Sequence, residues 1–228
     1  MLEVKGLTCG YDRKMVLKDV NFTVNPGDMV YILGANGSGK STLIKSIVGL
    51  LRPYDGSISI NGRPIDGWSW RERAKVISYI PQTFNAAFQY RCKDIVLMGR
   101  TPYLDFMSSP SKEDKEIAEQ AMKTLDILHL RDRIYSQLSG GERQLVKIAQ
   151  ALVQESKIIV MDEPTNNLDF GNRMIMLKHL RKCTDFGIAI IMATHFLEHA
   201  FLYATKALLV KRGKVREVDR PDSRPKRR

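Results

Sequence analysis

The sequence predicts an α/β fold built on a largely parallel sheet, and three features carry that expectation. Short apolar runs alternate with helical patterns along the chain, the arrangement that βα units produce. One such run, Met29 to Leu33, passes through a glycine-rich loop straight into a helical pattern. Two others, Ile158 to Met161 and Ile188 to Ala193, are continuously apolar, as strands buried on both faces must be.

A chain of 228 residues can bury one substantial core, so a single domain over residues 1–228 is expected. With 43% hydrophobic and 27% charged residues, the composition excludes a disordered or fibrous class. No segment approaches the roughly 18 uninterrupted apolar residues of a membrane span. The opening MLEVKGLTCGYDRK lacks the apolar run of a secretory signal, and a cytoplasmic address is expected. Cys9, Cys92 and Cys183 are widely separated and fit no metal spacing, so they are read as reduced structural thiols. The formal charge of +11, from 36 basic against 25 acidic residues, would suit nucleic acid, an anionic membrane or polyphosphate and does not choose among them. Part of the excess sits in a basic tail at about 216–228, with Arg216, Arg220, Arg224, Lys226, Arg227 and Arg228. A solvated end is expected there, an arm touching lipid or nucleic acid being the other reading.

In chain order, Met29 to Leu33 is the first clear strand. The loop GANGSGKS follows, and then TLIKSIVGLL, whose Leu43, Ile44, Ile47, Val48 and Leu51 recur at helical spacing. Ser57 to Ile60 and Val76 to Ile80 are strand-like. From Lys93 to about Val153 the pattern turns helical. Ile117, Ala121, Leu125 and Leu128 mark one apolar face, and Ser111 to Asp114 forms a capping-box pattern. A helical insert over about 93–153 is expected. The sheet resumes at Ile158 and Ile188 and gains a strand around Leu208 to Val210, beyond which no added regulatory domain is expected.

The loop formed by Gly34, Ala35, Asn36, Gly37, Ser38, Gly39, Lys40 and Ser41 has the order of parts that a phosphate-binding P-loop needs. Its glycines let backbone N–H groups approach phosphate oxygens, and the following helix presents its positive end. Lys40 would reach the β- and γ-phosphates of ATP, Ser41 would ligate Mg²⁺, and Thr42 would touch the α-phosphate. The run IIVMDEP ends a buried strand in adjacent carboxylates at the sheet edge. Asp162 is placed to hold Mg²⁺, and Glu163 to polarise the water that attacks the γ-phosphorus.

LSGGE, from Leu138 to Glu142, sets the chain apart from other P-loop proteins. Together with the P-loop and IIVMDEP it resembles the ABC ATPase family over nearly the whole length. That resemblance implies a P-loop core, a small antiparallel β subdomain and a helical insert. It also implies that Ser139, Gly140, Gly141 and Glu142 meet ATP bound to a second copy, in a head-to-tail homodimer. A hydroxyl, open glycine N–H groups and a helix N-terminus suit that task. By the same resemblance Tyr11 stacks on adenine beside Val16, and Gln82 reaches Mg²⁺ and the attacking water. Asn167, Leu168 and Asp169 cross the dimer interface, with Asp169 near the nucleotide, and His195 contacts the γ-phosphate. His129, His179 and His199 match nothing and are assigned to surface or packing. The sequence departs from the family at Glu142, where glutamine is commoner, at Leu145 and Gln150 in place of arginines, and at Phe196 in place of an aspartate.

Within the family, DIVLMGRTPYL (Asp94 to Leu104) followed by SKEDKEIAEQAM resembles the importer branch for ferric siderophores, haem, cobalamin and related chelates or oxyanions. The implied partners are a two-subunit permease and, indirectly, an extracytoplasmic binding protein, with no nucleic acid, and the implied place is the cytoplasmic face of the membrane. Met98, Met107, Phe84, Phe88 and Tyr103 are candidate permease contacts, core packing being the other reading of each. For Trp68 and Trp70, packing in the smaller antiparallel sheet is expected ahead of ligand binding, the other reading. A soluble ABC ATPase acting on DNA or ribosomes is the rival class; such proteins usually carry a coiled-coil insertion or two fused halves, and neither stands in this sequence. A nucleotide-binding module without turnover is disfavoured by Asp162, Glu163 and His195.

Overall fold

The computed structural model describes residues 1–82, 89–105, 108–166 and 168–218. The chain opens with a hairpin of β1 (Leu2–Tyr11) and β2 (Lys14–Val24), followed by β3 (Met29–Leu33) and α1 (Lys40–Ile47). Next come β4 (Asp55–Ile60), the two-residue β5 (Arg63–Pro64), α2 (Trp70–Ala74) and β6 (Ile77–Ile80). The helical stretch consists of α3 (Cys92–Leu97), a 3₁₀ turn Met98–Tyr103, α4 (Lys112–Thr124) and α5 (Gly140–Val153). Then follow β7 (Ile158–Asp162), α6 (Phe170–Asp185), β8 (Ala189–Thr194), α7 (Leu197–Tyr203), β9 (Lys206–Lys211) and β10 (Lys214–Val218).

Two sheets result. The larger runs β10-β9-β3-β8-β7-β6, parallel except for the β9–β10 hairpin, and the smaller runs β2-β1-β4-β5, antiparallel throughout. The apolar runs are continuous because successive side chains leave opposite faces of a strand and both faces are covered. Met29, Tyr31, Leu33, Ile159, Met161, Ile190 and Met192 pack with the helical stretch, α6 and α7. Their neighbours Val30, Ile32, Ile158, Val160, Ile191 and Ala193 pack with α1 and the small sheet. Truncating a buried isoleucine here to alanine would cost about 2–5 kcal/mol.

One buried charge ties the helical stretch together. Arg100 donates through Nε to Asp114 at 2.7 Å and through Nη1 to the Val153 carbonyl at 3.0 Å, and it also pairs with Glu155. The same Asp114 closes the capping box of α4 with Ser111. The Ser111 backbone N–H, then Arg100, hold its carboxyl below the ordinary range. Gly99 is needed beside this hub, because a Cβ there would stand 2.2 Å from the Gln150 carbonyl of α5.

The tryptophans divide, which corrects the expectation for one of them. Trp68 packs against the core of the small sheet, whereas Trp70 is 66% exposed. Ser69 caps α2 in a capping box with Glu72, so Trp70 starts the helix pointing outward. There its ring lies under the Arg73 guanidinium at 4.8 Å. All three cysteines are free and buried, with thiol pKa values pushed up by that burial. Among the described residues, no helix is long and apolar enough to cross a membrane.

Candidate functional site

The parallel strands deliver the predicted residues to one edge of the sheet. β3 leads into Gly34, β7 ends at Asp162, β8 is followed by His195, and β6 is followed by Pro81 and the exposed Gln82. Ligands of open α/β sheets bind at this carboxyl edge.

The loop from Gly34 to Gly39 is held by close approaches that exclude side chains. A Cβ at Gly34 would lie 2.6 Å from both Ser38 Oγ and the Val210 carbonyl. Gly39 has φ 110° and a Cβ there would meet Leu17 Cδ2 at 2.9 Å and Val16 Cγ1 at 3.1 Å. Val16 therefore packs directly beneath the loop. Gly39 caps α1 without any side-chain bond, and the first turn carries no acidic residue, so the positive end of the helix is left open to an anion. Lys40 is buried at its start. Its ammonium donates to the Gly34 carbonyl at 2.9 Å and the Ala35 carbonyl at 3.3 Å, and it pairs with Glu163 Oε1 at 3.2 Å. Ala35, Asn36 and Gly37 are exposed, Ser38 and Ser41 half-buried, and Thr42 buried. Tyr11, at the end of β1, is 42% exposed. Lys45 of α1 lies 5.8 Å from its ring centroid.

Asp162 and Glu163 are both buried but differently engaged. Glu163 has φ 49°, a left-handed conformation unusual for a residue with a side chain. Its N–H donates to the Ala193 carbonyl at 3.0 Å. One carboxylate oxygen faces Lys40, and the other lies 2.9 Å from His195 Nδ1. An ionised Glu163 makes Nδ1 the donor in that bond. Burial pushes the Asp162 carboxyl up; a bond from Ser41 and the charge of Lys40 oppose that, while Glu163 adds to it. Asp162 Oδ1 is buried with no partner among the described residues.

Those groups fit Mg²⁺. Among the described residues no cluster of three or more His, Cys, Asp or Glu could enclose a metal. A single carboxylate with a free oxygen beside a serine hydroxyl is the sparse donor set that Mg²⁺ takes when phosphates and waters fill its remaining positions.

The LSGGE segment caps α5. Glu142 N–H donates to Ser139 Oγ at 3.3 Å, and Ser139 N–H donates to Glu142 Oε2 at 2.8 Å. The Ser139 N–H holds the Glu142 carboxyl below the usual range. Arg133 stands 3.5 Å from its other oxygen. Since Ser139 Oγ accepts within the chain, its own proton is left to donate outward. Gly141 is required by α6: a Cβ there would come within 2.8 Å of the Asn172 side chain. Asp169 caps α6, accepting from Asn172 N–H at 2.9 Å and Asn172 Nδ2 at 2.6 Å. Leu168 is buried, Asn167 lies outside the described residues, and Leu145 packs against the core.

Of the candidate partner contacts, Met98 is 38% exposed. Tyr103 is half-exposed, its hydroxyl donating to the Gln154 carbonyl at 3.0 Å and its ring lying under Arg100 at 4.1 Å. Neither is core. Asp94 and Leu97 line a groove of about 380 Å³ whose apolar floor is Ala118, Met122 and Leu128. Phe84, Phe88 and Met107 lie outside the described residues. The pairing of Lys40 with Glu163 and the contacts of Arg173 and Phe196 had no signal in the sequence, because nothing in residue spacing records which side chains meet across loops.

A family model described as ABC transporter matches residues 17–166. An uncharacterised ABC transporter ATP-binding protein of Haemophilus influenzae is 39% identical over 210 residues, covering 92% of this chain and 80% of its own length. The hemin import ATP-binding protein HmuV of Gloeobacter violaceus is 36% identical, with 97% of this chain and 82% of that one aligned. The molybdate import ATP-binding protein MolC of Haemophilus influenzae is 36% identical over 92% of this chain and 78% of its own. Among solved structures, a metal-chelate type ABC transporter facing inward superposes with TM-score 0.86 at 34% identity, over 96% of this chain and 82% of that one. The dimeric post-hydrolysis state of the cassette MJ0796 with ADP and Pi gives TM-score 0.83 at 27% identity, over 96% and 98%. With the P-loop, the paired carboxylates and the capped LSGGE helix all in place on this fold, the chain belongs to the ABC transporter family, as one of its ATP-hydrolysing cassettes.

Proposed function

We propose that the chain binds and hydrolyses Mg-ATP as a homodimer with two composite sites, and so powers an importer at the cytoplasmic face of the membrane. The observation that carries this reading is the convergence of Lys40 and His195 on the two oxygens of Glu163, beside an Asp162 oxygen left free. Mg-ATP, when bound, supplies the electrophilic γ-phosphorus together with the cation that neutralises its oxygens. Asp162 and Ser41, joined by Gln82, hold the metal, while the N–H groups of Gly34 to Gly39 and Thr42 hold the phosphates. Drawn to phosphate oxygens, Lys40 releases Glu163 Oε1, which can then take the proton of the attacking water. His195 keeps Oε2 fixed meanwhile. Tyr11 and Val16 receive the adenine, and Ser139, Gly140, Gly141, Glu142 and Asp169 of the second copy close the site.

The surface from Asp94 to Leu104 is assigned to a helix of a two-subunit permease that works with an extracytoplasmic binding protein. The exposure of Met98 and the neighbouring groove support that assignment, because an apolar floor with a mobile thioether can repack around a helix. The relatives named for hemin and molybdate import, and the metal-chelate transporter, support a ferric siderophore, haem, cobalamin or related chelate or oxyanion as cargo.

Glu163→Gln is the test. It keeps the shape but cannot accept the proton, so turnover should fall roughly 10²- to 10⁴-fold. The variant should also accumulate as an ATP-dependent dimer on size exclusion. Near-normal hydrolysis would remove Glu163 from the chemistry, and co-purification with DNA or ribosomes in place of a permease would overturn the importer reading.

A further inference from the structure

His195 is far less enclosed than Lys40, Asp162 and Glu163 beside it. Its side chain is 42% exposed, with the bond to Glu163 at one edge. An imidazole so placed needs something to fix its plane, and the structure supplies it from Phe196. The two ring centroids lie 4.1 Å apart with the planes tilted by 36°. The Phe196 backbone is pinned in turn, its N–H donating to Thr194 Oγ1 at 3.1 Å. Behind it stands His199, 5.1 Å away. His199 is buried, neither ring nitrogen has a partner among the described residues, and burial lowers its pKa.

Arg173 of α6 also meets the Phe196 ring. Its guanidinium stands 4.3 Å from the ring centroid, the geometry of a cation–π contact. The same guanidinium donates through Nε to the Leu168 carbonyl at 2.8 Å. Leu168 immediately precedes Asp169, the cap of α6. A continuous line of contacts therefore runs from the segment entering α6, through Arg173 and Phe196, to His195 and Glu163.

We propose that Arg173 and Phe196 are positioning residues, which hold the His195 ring against Glu163 and set that ring in register with the segment entering Asp169. The proposal rests on the assignment of Glu163 and His195 to hydrolysis. An aromatic ring is required at position 196 because only a flat π-face can stack on an imidazole and receive a guanidinium. Movement of the Leu168–Asp169 segment would reach the imidazole through this stack, so a shift there would change how well Glu163 is held.

Steady-state ATPase kinetics on the full chain test this, with melting temperature as the control. Phe196→Leu keeps apolar bulk and loses the π-face; it should lower kcat roughly 10-fold through misplacement of the base, with KM for ATP within about 2-fold because the P-loop is untouched. Phe196→Tyr should restore the parental kcat. Arg173→Gln should lower kcat in the same way, and carries the test if Phe196→Leu does not fold. The double variant should be no slower than the slower single one, since residues in one contact network are not additive. Unchanged kcat in Phe196→Leu and Arg173→Gln, with Glu163→Gln inactive, overturns this inference alone. So do multiplicative losses in the double variant, or a Phe196→Tyr that is as slow as Phe196→Leu. Turnover surviving in Glu163→Gln overturns the assignment of the site and this inference with it.

Discussion

Two helices, α1 and α5, present their N-termini at the proposed phosphate sites, and they are finished in opposite ways. α1 begins after Gly39 with no side-chain cap and no acid in its first turn, and its first residue is a buried lysine. α5 begins after Ser139 with a complete capping box, and the acid that closes it, Glu142, sits in the first turn. An uncapped terminus leaves N–H groups for a ligand, whereas a boxed terminus has already spent part of that capacity on itself. In the proposed homodimer the first site would be complete within one chain, while the second would offer a hydroxyl proton and the remaining N–H groups to phosphates brought by another copy.

The largest expected effect lies on the uncapped side. Lys40→Ala removes the ammonium that donates to the Gly34 and Ala35 carbonyls of the cradle; a charge-assisted bond is worth about 1.5–3 kcal/mol, so ATP affinity should fall roughly 10- to 100-fold, and turnover should fall to background. Nucleotide titration together with phosphate release would check it, and near-normal turnover would remove the P-loop from the mechanism. On the boxed side, Ser139→Arg placed in the Glu163→Gln background should abolish the ATP-dependent dimer on size exclusion. A double variant that dimerises as readily as Glu163→Gln would contradict the composite site.

A smaller effect would sharpen the contrast. Glu142→Gln keeps the bond from the Ser139 N–H but removes a negative charge where the proposed γ-phosphate binds. A charge at a helix terminus is worth about 0.3–1 kcal/mol, so dimerisation with ATP should strengthen roughly 2- to 5-fold by sedimentation. The wild-type box should also respond to acid. Its carboxyl is lowered in the folded chain, so its stabilisation is present above the unfolded value of about 4.3 and is lost as pH falls through the folded one. Melting of Glu142→Gln should lack that acid-side component. The smallest effect belongs to Met98→Asp. On an exposed position the isolated chain should change by less than about 0.5 kcal/mol in stability and keep its ATPase rate, while transport by the assembled complex fails. Full transport with that variant would exclude Met98 as a coupling contact.

What was legible in the sequence follows from burial. The runs Met29 to Leu33, Ile158 to Met161 and Ile188 to Ala193 became strands because a sheet covered on both faces demands continuous apolar residues, and the P-loop declared itself because Gly34 and Gly39 leave no room for a side chain while Gly37 takes a positive φ. Ser111 with Asp114 was legible for the same local reason. Trp70 was misjudged since the cap at Ser69, not ring size, decides where it points. Arg100 with Asp114, Lys40 with Glu163 and Arg173 with Phe196 were invisible because each joins side chains that only the tertiary fold brings together.

The backbone of Glu163 has a consequence of its own. A left-handed conformation costs a residue with a Cβ about 1–2 kcal/mol that glycine would not incur, whereas removing Glu163 alone would leave the buried Lys40 ammonium without its anion, at a cost of about 3–5 kcal/mol. The pair that turnover uses therefore also guards position 163 against drift. Directed evolution for heat resistance alone should leave this position untouched unless position 40 changes with it.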